Sequence, residues 1–330
     1  MQRPYLLFLG DVGDDLAAKT AFGIVHWRPD WCLGQLRLPG CKPDLGIEEM
    51  GIAEAAARGV RTMVVAVANS GGVLAEAWVP SVVEALEAGL DVASGLHQRL
   101  ADFPAIAEAA RRHDRQLFDI RHPTRRFHTG KGLKRSGKRL LTVGTDCSCG
   151  KKYTALAIER EMRARGWNVD FRATGQTGIM IAGEGVAIDA VVADFIAGAV
   201  EWLAPDNEPG HWDLIEGQGS LFHPAFAGVS MGLLHGAQPD ALVLCHEPTR
   251  RHMRGLTHQP LPGLAECLEL NLRCARLTNP GVRAVGVSVN TAKLDAEERA
   301  RCLAAIEAEL GLPTVDAVAT GTARIVDGLA

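Results

Sequence analysis

Residues 144–154 read GTDCSCGKKYT and join a predicted buried strand, residues 140–143, to a predicted helix, residues 151–165. Glycines at both ends of the loop let backbone N–H groups turn inward, and the N-terminus of the helix adds positive potential. The lysine that opens the helix supplies a point charge. A loop with these flanks is typical of phosphate binding. We predict that a cofactor is bound by Gly144, Thr145, Asp146, Cys147, Ser148, Cys149, Gly150, Lys151, Lys152, Tyr153 and Thr154.

Two features of this loop depart from the usual phosphate-loop pattern. Five residues separate Gly144 and Gly150, where the usual pattern has about four. Lys152 stands where a serine or threonine hydroxyl would hold Mg²⁺ in an enzyme that hydrolyses NTP, and Thr154 comes two places later. A second lysine favours a phosphate-bearing ligand that is bound without chemistry at the phosphate. Coenzyme A, with its pyrophosphate and its 3′-phosphate, is such a ligand.

Two interpretations of the loop cysteines are open. A helix N-terminus and two lysines lower the pKa of a thiol, so Cys147 and Cys149 could be nucleophiles or redox sensors. Alternatively, the loop needs small residues there so that the backbone can approach the ligand. We favour the second interpretation, because a loop filled by phosphate leaves little room for thiol chemistry.

The composition is that of an ordinary globular protein. Of the 330 residues, 47% are hydrophobic and 22% are charged, and the length favours two domains. The net charge of −4 gives no reason to expect a nucleic-acid partner. No apolar run reaches the roughly 18 residues of a membrane span, so we expect no membrane partner.

The N-terminus and the cysteines predict a cytoplasmic protein. The first residues lead directly into a predicted strand and lack the small-residue cleavage site of a signal peptide. The eight cysteines contain no C-x-x-C pair, so we expect free thiols and no bound metal.

The first part of the chain alternates strands and helices. Strands are predicted at 5–9, 61–68 and 116–120, and helices at 47–58, 81–88 and 103–112. This alternation predicts a parallel sheet with helices on its faces, which is a Rossmann-like domain over residues 1–123.

Residues 124–138 are rich in lysine and arginine, among them Arg125, Arg126 and Arg135. We interpret this segment as a solvated basic linker. The alternative is a basic surface that faces an anionic ligand.

The second part of the chain repeats the α/β alternation. Strands are predicted at 140–143, 168–173, 212–216, 241–246 and 282–290, and helices at 151–165, 189–203, 264–275 and 296–310. The predicted fold is therefore α/β, with the Rossmann-like domain followed by a P-loop NTPase-like domain over residues 139–330.

Polar residues follow the predicted strands of this second part. Because the carboxyl ends of parallel strands meet at one edge of a sheet, these residues should line a ligand crevice. Glu216 could hold a metal or act as a general base, and His223 and His246 lie at neighbouring strand ends. Further donors for ligands are Gln176, Thr177, Gln218, Ser220, Arg250, Arg251 and Asn290.

Three motifs of this second part resemble the dethiobiotin synthetase and cobyric-acid synthase branch of P-loop proteins. They are Gly144-Thr145-Asp146 with Gly150-Lys151, Glu216-Gly-x-Gly219, and Gly286-Val-x-Val-Asn290. The resemblance implies that the glutamate helps to bind Mg²⁺ and that ATP activates a carboxylate. Lys152 departs from that pattern.

The whole chain resembles a narrower family, in which a Rossmann-like domain precedes a P-loop domain and which was long catalogued as a domain of unknown function. The matching motifs are Ala18-Lys19-Thr20, residues 144–154, residues 174–178, and residues 216–220 with His223-Pro224. Its members include D-glutamate N-acetyltransferases. The resemblance implies acetyl-CoA as donor, D-glutamate or a related D-amino acid as acceptor, and a partner racemase that acts on the N-acetyl product.

The first hypothesis is therefore an N-acetyltransferase with CoA phosphates in the 144–152 loop. Its general base would be Glu216 or His223, with His246 third, and backbone N–H groups of 217–220 would stabilise the oxyanion. The substrate carboxylates would meet Arg250 or Arg251, or residues of the first domain. Those residues are Lys19, Asn69, Ser70, Gly71 and Gly72.

Two other hypotheses remain. An ATP- and Mg²⁺-dependent carboxylate–amine ligase would require Mg²⁺ and release ADP. A non-catalytic nucleotide or metabolite sensor would bind without turnover. A homo-oligomer is compatible with all three.

Overall fold

The computed structural model describes residues 1–329, and the side chain of Ser70 lies outside that description. The strands are β1 (Tyr5–Gly10), β2 (Cys32–Arg37), β3 (Thr62–Val65), β4 (Asp91–Ser94), β5 (Leu117–Asp119), β6 (Lys138–Gly144), β7 (Val169–Arg172), β8 (Trp212–Ile215), β9 (Ala241–His246), β10 (His252–Met253), β11 (Leu256–Pro260), β12 (Arg283–Val289) and β13 (Thr314–Val315). The helices are α1 (Lys19–Trp27), α2 (Ile52–Ala57), α3 (Val79–Glu87), α4 (Pro104–Arg112), α5 (Lys151–Ala164), α6 (Gln176–Ala182), α7 (Ile196–Leu203), α8 (Ala227–Ala237), α9 (Leu264–Arg276), α10 (Ala296–Leu310) and α11 (Ala323–Asp327).

The chain divides into two compact units. The first unit contains residues 1–124 and 176–190, and the second contains residues 125–175 and 191–330. The sequence-based division placed α6 in the P-loop domain, whereas α6 packs with α1 in the first unit. The Met1 amino group also donates to the carbonyl of Gly183 at 3.0 Å, which ties the segment after α6 to the N-terminus.

The first unit contains a sheet in the order β2-β1-β3-β4-β5. Neighbouring strands are parallel throughout this order, and β1 is buried along its whole length. The order reverses between β1 and β3, as in doubly wound sheets. The predicted Rossmann-like α/β fold is confirmed in this unit.

The first unit differs from the prediction at β2, α1 and α2. The helix predicted over 47–58 begins at Ile52, because residues 48–50 run beside β2 instead. There Gln35 N–H donates to Glu48 O at 2.8 Å, and Met50 N–H donates to Gln35 O at 3.0 Å. Strand β2 and helix α1 were not predicted, and β2 is a half-buried edge strand with no apolar alternation.

The second unit contains a parallel sheet in the order β13-β12-β9-β6-β8-β7. Strand β6 lies inside the sheet, with β9 on one side and β8 on the other. The loops that follow β6, β8 and β9 therefore leave the same edge of the sheet side by side. Strands β10 and β11 form a separate antiparallel hairpin after β9.

The solvated-linker interpretation is wrong for Arg135, which is buried in the second unit. Its guanidinium donates to Ala204 O and Gly236 O, each at 2.5 Å. These carbonyls lie at the C-terminal ends of α7 and α8, where a cation is favoured because the helix leaves carbonyls unpaired. Arg125 and Arg126 are exposed.

Two expectations from composition can be compared with the described chain. None of its helices combines the length and apolar character that crossing a membrane requires. All eight cysteines lie within residues 1–329, and each is a free thiol there.

Candidate functional site

The loop of residues 144–151, here called the P-loop, leaves β6 and enters α5 as predicted. Gly150 adopts a φ of +108°, which is a backbone conformation that favours glycine. Lys151 opens α5 with a buried side chain, and its Nζ donates to the carbonyl of Asp146 at 2.7 Å. The ammonium therefore spans the loop and faces its backbone.

The N–H groups of Ser148 and Cys149 donate no hydrogen bond among residues 1–329. Such unpaired N–H groups at the start of a helix are suited to an anion. A cofactor phosphate thus fits the donors that the P-loop presents.

Glu216 lies at the end of β8 with a buried carboxylate. Its Oε2 accepts hydrogen bonds from the N–H groups of Thr174 and Gly175, at 3.0 and 3.1 Å. In the described chain, no hydrogen bond reaches Oε1. Burial raises the pKa of this carboxyl group, against the lowering influence of Lys152. The two hydrogen bonds hold Oε2 in place, and Oε1 is left to accept a proton.

Gly217 allows the β8 loop to pass close to β6. A Cβ atom at this position would lie 1.7 Å from the carbonyl oxygen of Thr142, and no side chain tolerates that distance. The N–H of Gly217 donates to Thr142 Oγ1 at 2.9 Å. This N–H is therefore taken and is not an oxyanion donor.

His246 ends β9 beside the P-loop. Its Nδ1 lies 3.0 Å from the hydroxyl of Thr145. Burial lowers the pKa of His246, partly offset by the nearby carboxylate of Glu247. His246 is therefore neutral at pH 7.

His223 uses both ring nitrogens within the protein. The N–H of Ala225 donates to Nδ1 at 3.2 Å, so Nδ1 carries no proton. The other nitrogen, Nε2, lies 3.2 Å from the carbonyl of Arg254 and donates to it. The ring also lies 4.5 Å from that of Phe226. The prediction of His223 as a base conflicts with this geometry, because its lone pair is already engaged.

Asp146 is buried and accepts hydrogen bonds from its neighbours instead of facing a ligand. Its Oδ2 accepts from Arg250 Nη1 at 2.5 Å and from the N–H of Arg254 at 2.8 Å. The prediction that Arg250 binds substrate carboxylates conflicts with this pairing, since the guanidinium already binds Asp146. Arg251 is exposed.

The two loop thiols have different surroundings, and Cys149 Sγ lies 3.6 Å from Lys151 Nζ. Burial raises the pKa of Cys147, although Lys151 opposes the shift. Cys149 is buried, and its Sγ donates to the carbonyl of Asp146 at 3.1 Å. The structure thus favours the interpretation that small residues shape the loop.

Four other predicted cofactor residues lie at different places around the P-loop. Thr154 pairs with Ser288 Oγ at 2.7 Å inside the second unit, so it supports packing and does not face the loop. Lys152 places Nζ 5.3 Å from the centroid of the Tyr153 ring. A Cβ on Gly150 would lie 3.8 Å from Asn290, which therefore neighbours the loop.

Gln218 and Ser220 connect loops of the second unit. Gln218 Nε2 donates to Thr174 Oγ1 at 3.0 Å, and Ser220 Oγ donates to the carbonyl of Thr145 at 3.2 Å. Thr142, Thr174 and Arg254 also connect loops of this unit. Thr174 and Arg254 were predicted to contact a ligand, and Thr142 was not predicted, because a sequence does not show which polar side chains point inward.

The predicted residues of the first unit lie in α1, in the segment after β3 and in α6. Lys19 opens α1, and Thr20 Oγ1 lies 3.2 Å from Thr177 Oγ1. Asn69 Nδ2 donates to Val73 O at 2.7 Å. Gly71 and Gly72 have positive φ values, Gln176 begins α6, and the prediction for the Ser70 side chain lies outside the described residues.

One group of possible metal ligands includes P-loop residues. Ligand atoms of Asp146, Cys147 and His223 lie within 4.8 Å of one another. The Asp146 and His223 atoms already make the hydrogen bonds described above. We therefore assign no metal to this group.

Comparisons with known proteins match the whole architecture. A family model for the P-loop domain of DUF1611, described as a domain of unknown function, matches residues 126–326. The Rossmann-like N-terminal domain of the same family matches residues 37–123. The chain is 54% identical to a D-glutamate N-acetyltransferase from Tritonibacter scottomollicae over 330 residues, which cover 100% of this chain and 99% of the relative.

Two further relatives cover nearly the full length. A D-glutamate N-acetyltransferase from a Pseudoalteromonas species is 52% identical over 329 residues, 100% of this chain and 99% of that protein. The crystal structure of a DUF1611 family protein from Anabaena variabilis is 30% identical with a TM-score of 0.87, and the match covers 99% of each chain.

Proposed function

This chain belongs to the DUF1611 family, and we propose on that premise that it is an N-acetyltransferase that acetylates the amino group of D-glutamate. The proposal is supported by the two relatives that carry this name at 54% and 52% identity over essentially the whole chain. The proposed acyl donor is acetyl-CoA. A racemase that acts on the N-acetylated amino acid is the proposed functional partner, and a homo-oligomer is the proposed assembly.

The P-loop is the proposed binding site for the phosphates of the donor. Its unpaired N–H groups at Ser148 and Cys149 and the ammonium of Lys151 suit an anion. Lys152 in place of the usual hydroxyl adds positive charge where a P-loop enzyme that hydrolyses NTP would hold Mg²⁺. This arrangement favours binding of phosphate over chemistry at phosphate.

Glu216 is the proposed general base, and its carboxylate is the single observation on which the mechanism rests. The amine of D-glutamate must lose a proton before it attacks the thioester carbonyl. Glu216 offers an oxygen that makes no hydrogen bond in the described chain, and its raised pKa brings it closer to the pH at which a base works. His246 is the second choice, because burial keeps it neutral.

The proposed chemistry is ordinary acyl transfer. As the base takes the proton, the nitrogen bonds to the acetyl carbon, and the thiolate of CoA then leaves and is protonated. Backbone N–H groups of Gln218, Gly219 or Ser220 would donate to the oxyanion, because that of Gly217 is used by Thr142. Within the second unit, Arg251 is the proposed partner of the substrate carboxylates, because Arg250 is already paired with Asp146. The roles of Lys19, Asn69, Gly71 and Gly72 stay predictions.

The test measures thiol release when the purified protein is mixed with acetyl-CoA and D-glutamate in EDTA. Parallel reactions contain L-glutamate, or ATP and Mg²⁺ without acetyl-CoA. We expect thiol release and N-acetyl-D-glutamate in the first reaction. ADP release in the ATP reaction, with no thiol release from acetyl-CoA, would instead establish the ligase. Binding of acetyl-CoA or ATP without turnover would establish the sensor.

A matched pair of variants tests the base. Glu216→Gln keeps the shape and removes the proton acceptor, so kcat should fall by about 10²–10⁴-fold. Glu208→Gln changes an exposed carboxyl group and should leave kcat unchanged. Full activity in Glu216→Gln would rule out Glu216 as the base.

A further inference from the structure

Arg250 binds the P-loop from the segment that follows β9. Besides its contact with Asp146, Nη1 donates to the carbonyl of Cys147 at 2.6 Å, and Nη2 donates to that of Ser148 at 3.3 Å. Its Nε lies 3.3 Å from a carboxylate oxygen of Glu247. The guanidinium is thus held on one side and binds two successive loop carbonyls on the other.

These two carbonyl contacts determine where the following N–H groups point. In a planar trans peptide, the C=O of one residue and the N–H of the next point in opposite directions. When the carbonyls of Cys147 and Ser148 point to Arg250, the N–H groups of Ser148 and Cys149 point away from it. These are the same N–H groups that donate no hydrogen bond in the described chain.

Asp146 and Arg254 complete the arrangement. The carboxylate of Asp146 accepts from Arg250 and also from the N–H of Cys147 at 2.6 Å, so it contacts both the guanidinium and the start of this turn. Arg254 Nη1 also donates to Ser148 Oγ. Ser148 has a φ of +52°, a strained conformation for a residue with a side chain, which these contacts stabilise.

We propose that the Asp146–Arg250 ion pair is a positioning element that keeps the P-loop N–H groups turned toward the phosphates of the donor. Arg250 is then a specificity residue for phosphate-bearing donors, although it does not touch the reacting atoms. The kinetic test of this inference rests on the proposed function. A second test measures only the binding of an anion and does not depend on that function.

The kinetic test compares two donors in Arg250→Met and Arg250→Lys. Acetyl-CoA carries phosphates, whereas S-acetyl-N-acetylcysteamine is a thioester without them. Arg250→Met should lower kcat/KM with acetyl-CoA by about tenfold or more, since charged hydrogen bonds that orient the loop are lost. It should leave kcat/KM with the phosphate-free donor, and the KM for D-glutamate, unchanged. Arg250→Lys keeps the charge but loses the forked contacts, so its kcat/KM with acetyl-CoA should lie between those of wild type and Arg250→Met.

The control variant is Arg273→Met, which changes an exposed arginine of α9 and should behave as wild type with both donors. A merely structural role of Arg250 predicts equal losses with both donors. Equal losses, or no loss with either donor, would overturn the proposal.

Binding of inorganic pyrophosphate, measured by calorimetry, tests the same inference without turnover. Arg250→Met should bind pyrophosphate about tenfold more weakly than wild type. Arg250→Lys should lose less affinity, and Arg273→Met should bind pyrophosphate as wild type does. Unchanged pyrophosphate affinity in Arg250→Met would also overturn the proposal. If the unaltered protein transfers no acetyl group, the proposed function fails, but the order of pyrophosphate affinities still decides the role of Arg250.

Discussion

Replacing the buried Arg135 with methionine should destabilise the second unit strongly. The side chain donates to Ala204 O and Gly236 O at 2.5 Å, and to Glu201 O and Ala237 O at 3.1 and 3.3 Å. A hydrogen bond from a charged donor contributes about 1.5–3 kcal/mol, so the two shortest bonds contribute about 3–6 kcal/mol.

Two further effects set the final magnitude. The charge also interacts with two helix C-termini, which adds about 0.3–1 kcal/mol each. Release of the buried charge offsets part of the loss, because burial, with a smaller contribution from Arg139, lowers the pKa of Arg135 to about 10. Methionine fills the space of the stem but leaves the carbonyls unpaired, so we expect a net loss of about 3–5 kcal/mol.

Urea and thermal denaturation followed by circular dichroism measure this loss. At about 2–4 °C per kcal/mol, the expected decrease in Tm is about 6–20 °C. Arg135→Lys should lose less, because it retains the charge, and Arg126→Met on the exposed part of the same segment should change stability by less than about 0.5 kcal/mol. A loss below about 1 kcal/mol in Arg135→Met, or an equal loss in Arg126→Met, would refute the reasoning.

Three further predictions concern the second unit. Glu216 loses its carboxylate form as pH falls through its raised pKa, so kcat/KM should decline at acid pH. The midpoint of this decline should lie above 4.5, the ordinary pKa of a glutamate. The pH profile of Glu216→Gln should lack the decline. Cys147→Ser should retain acetyl transfer, because burial raises the pKa of that thiol; complete loss of turnover would restore the nucleophile interpretation. Gly217→Ala should displace the β8 loop from Thr142, lower the free energy of unfolding by about 1–3 kcal/mol and abolish turnover. An unchanged melting curve would contradict the close approach of Gly217 to the Thr142 carbonyl.

The parts of this fold that the sequence predicted are those determined by local pattern. Apolar runs identified most strands, and the glycines and Lys151 placed the P-loop between β6 and α5. The rule that parallel strands present their following loops at one edge also placed Glu216 and His246 near that loop. Each of these inferences uses neighbours in the chain or a property of every parallel sheet.

The roles of charged residues were predicted less well, because tertiary contacts choose their partners. Arg135 was interpreted as solvated, Arg250 as a substrate ligand and His223 as a base, yet each binds within the protein. The acceptors of all three are, at least in part, backbone carbonyls, which any residue type provides and no sequence motif marks. The hairpin that supplies Arg254 was not predicted either, since β10 has only two residues.

Under the proposed function, the same contacts explain how a P-loop could serve acyl transfer. Lys152 takes the position of the metal-binding hydroxyl of an NTP-hydrolysing P-loop, and the carboxylate of Asp146 is paired with Arg250. The backbone N–H groups that are proposed to bind phosphate need no metal ion, and the Asp146–Arg250 pair orients them. Glu216, which the resemblance to ATP-dependent ligases assigns to Mg²⁺, then keeps an oxygen for proton transfer. Because Asp146 is paired with Arg250 whatever residue stands at position 152, we expect that Lys152→Ser alone does not produce ATP hydrolysis.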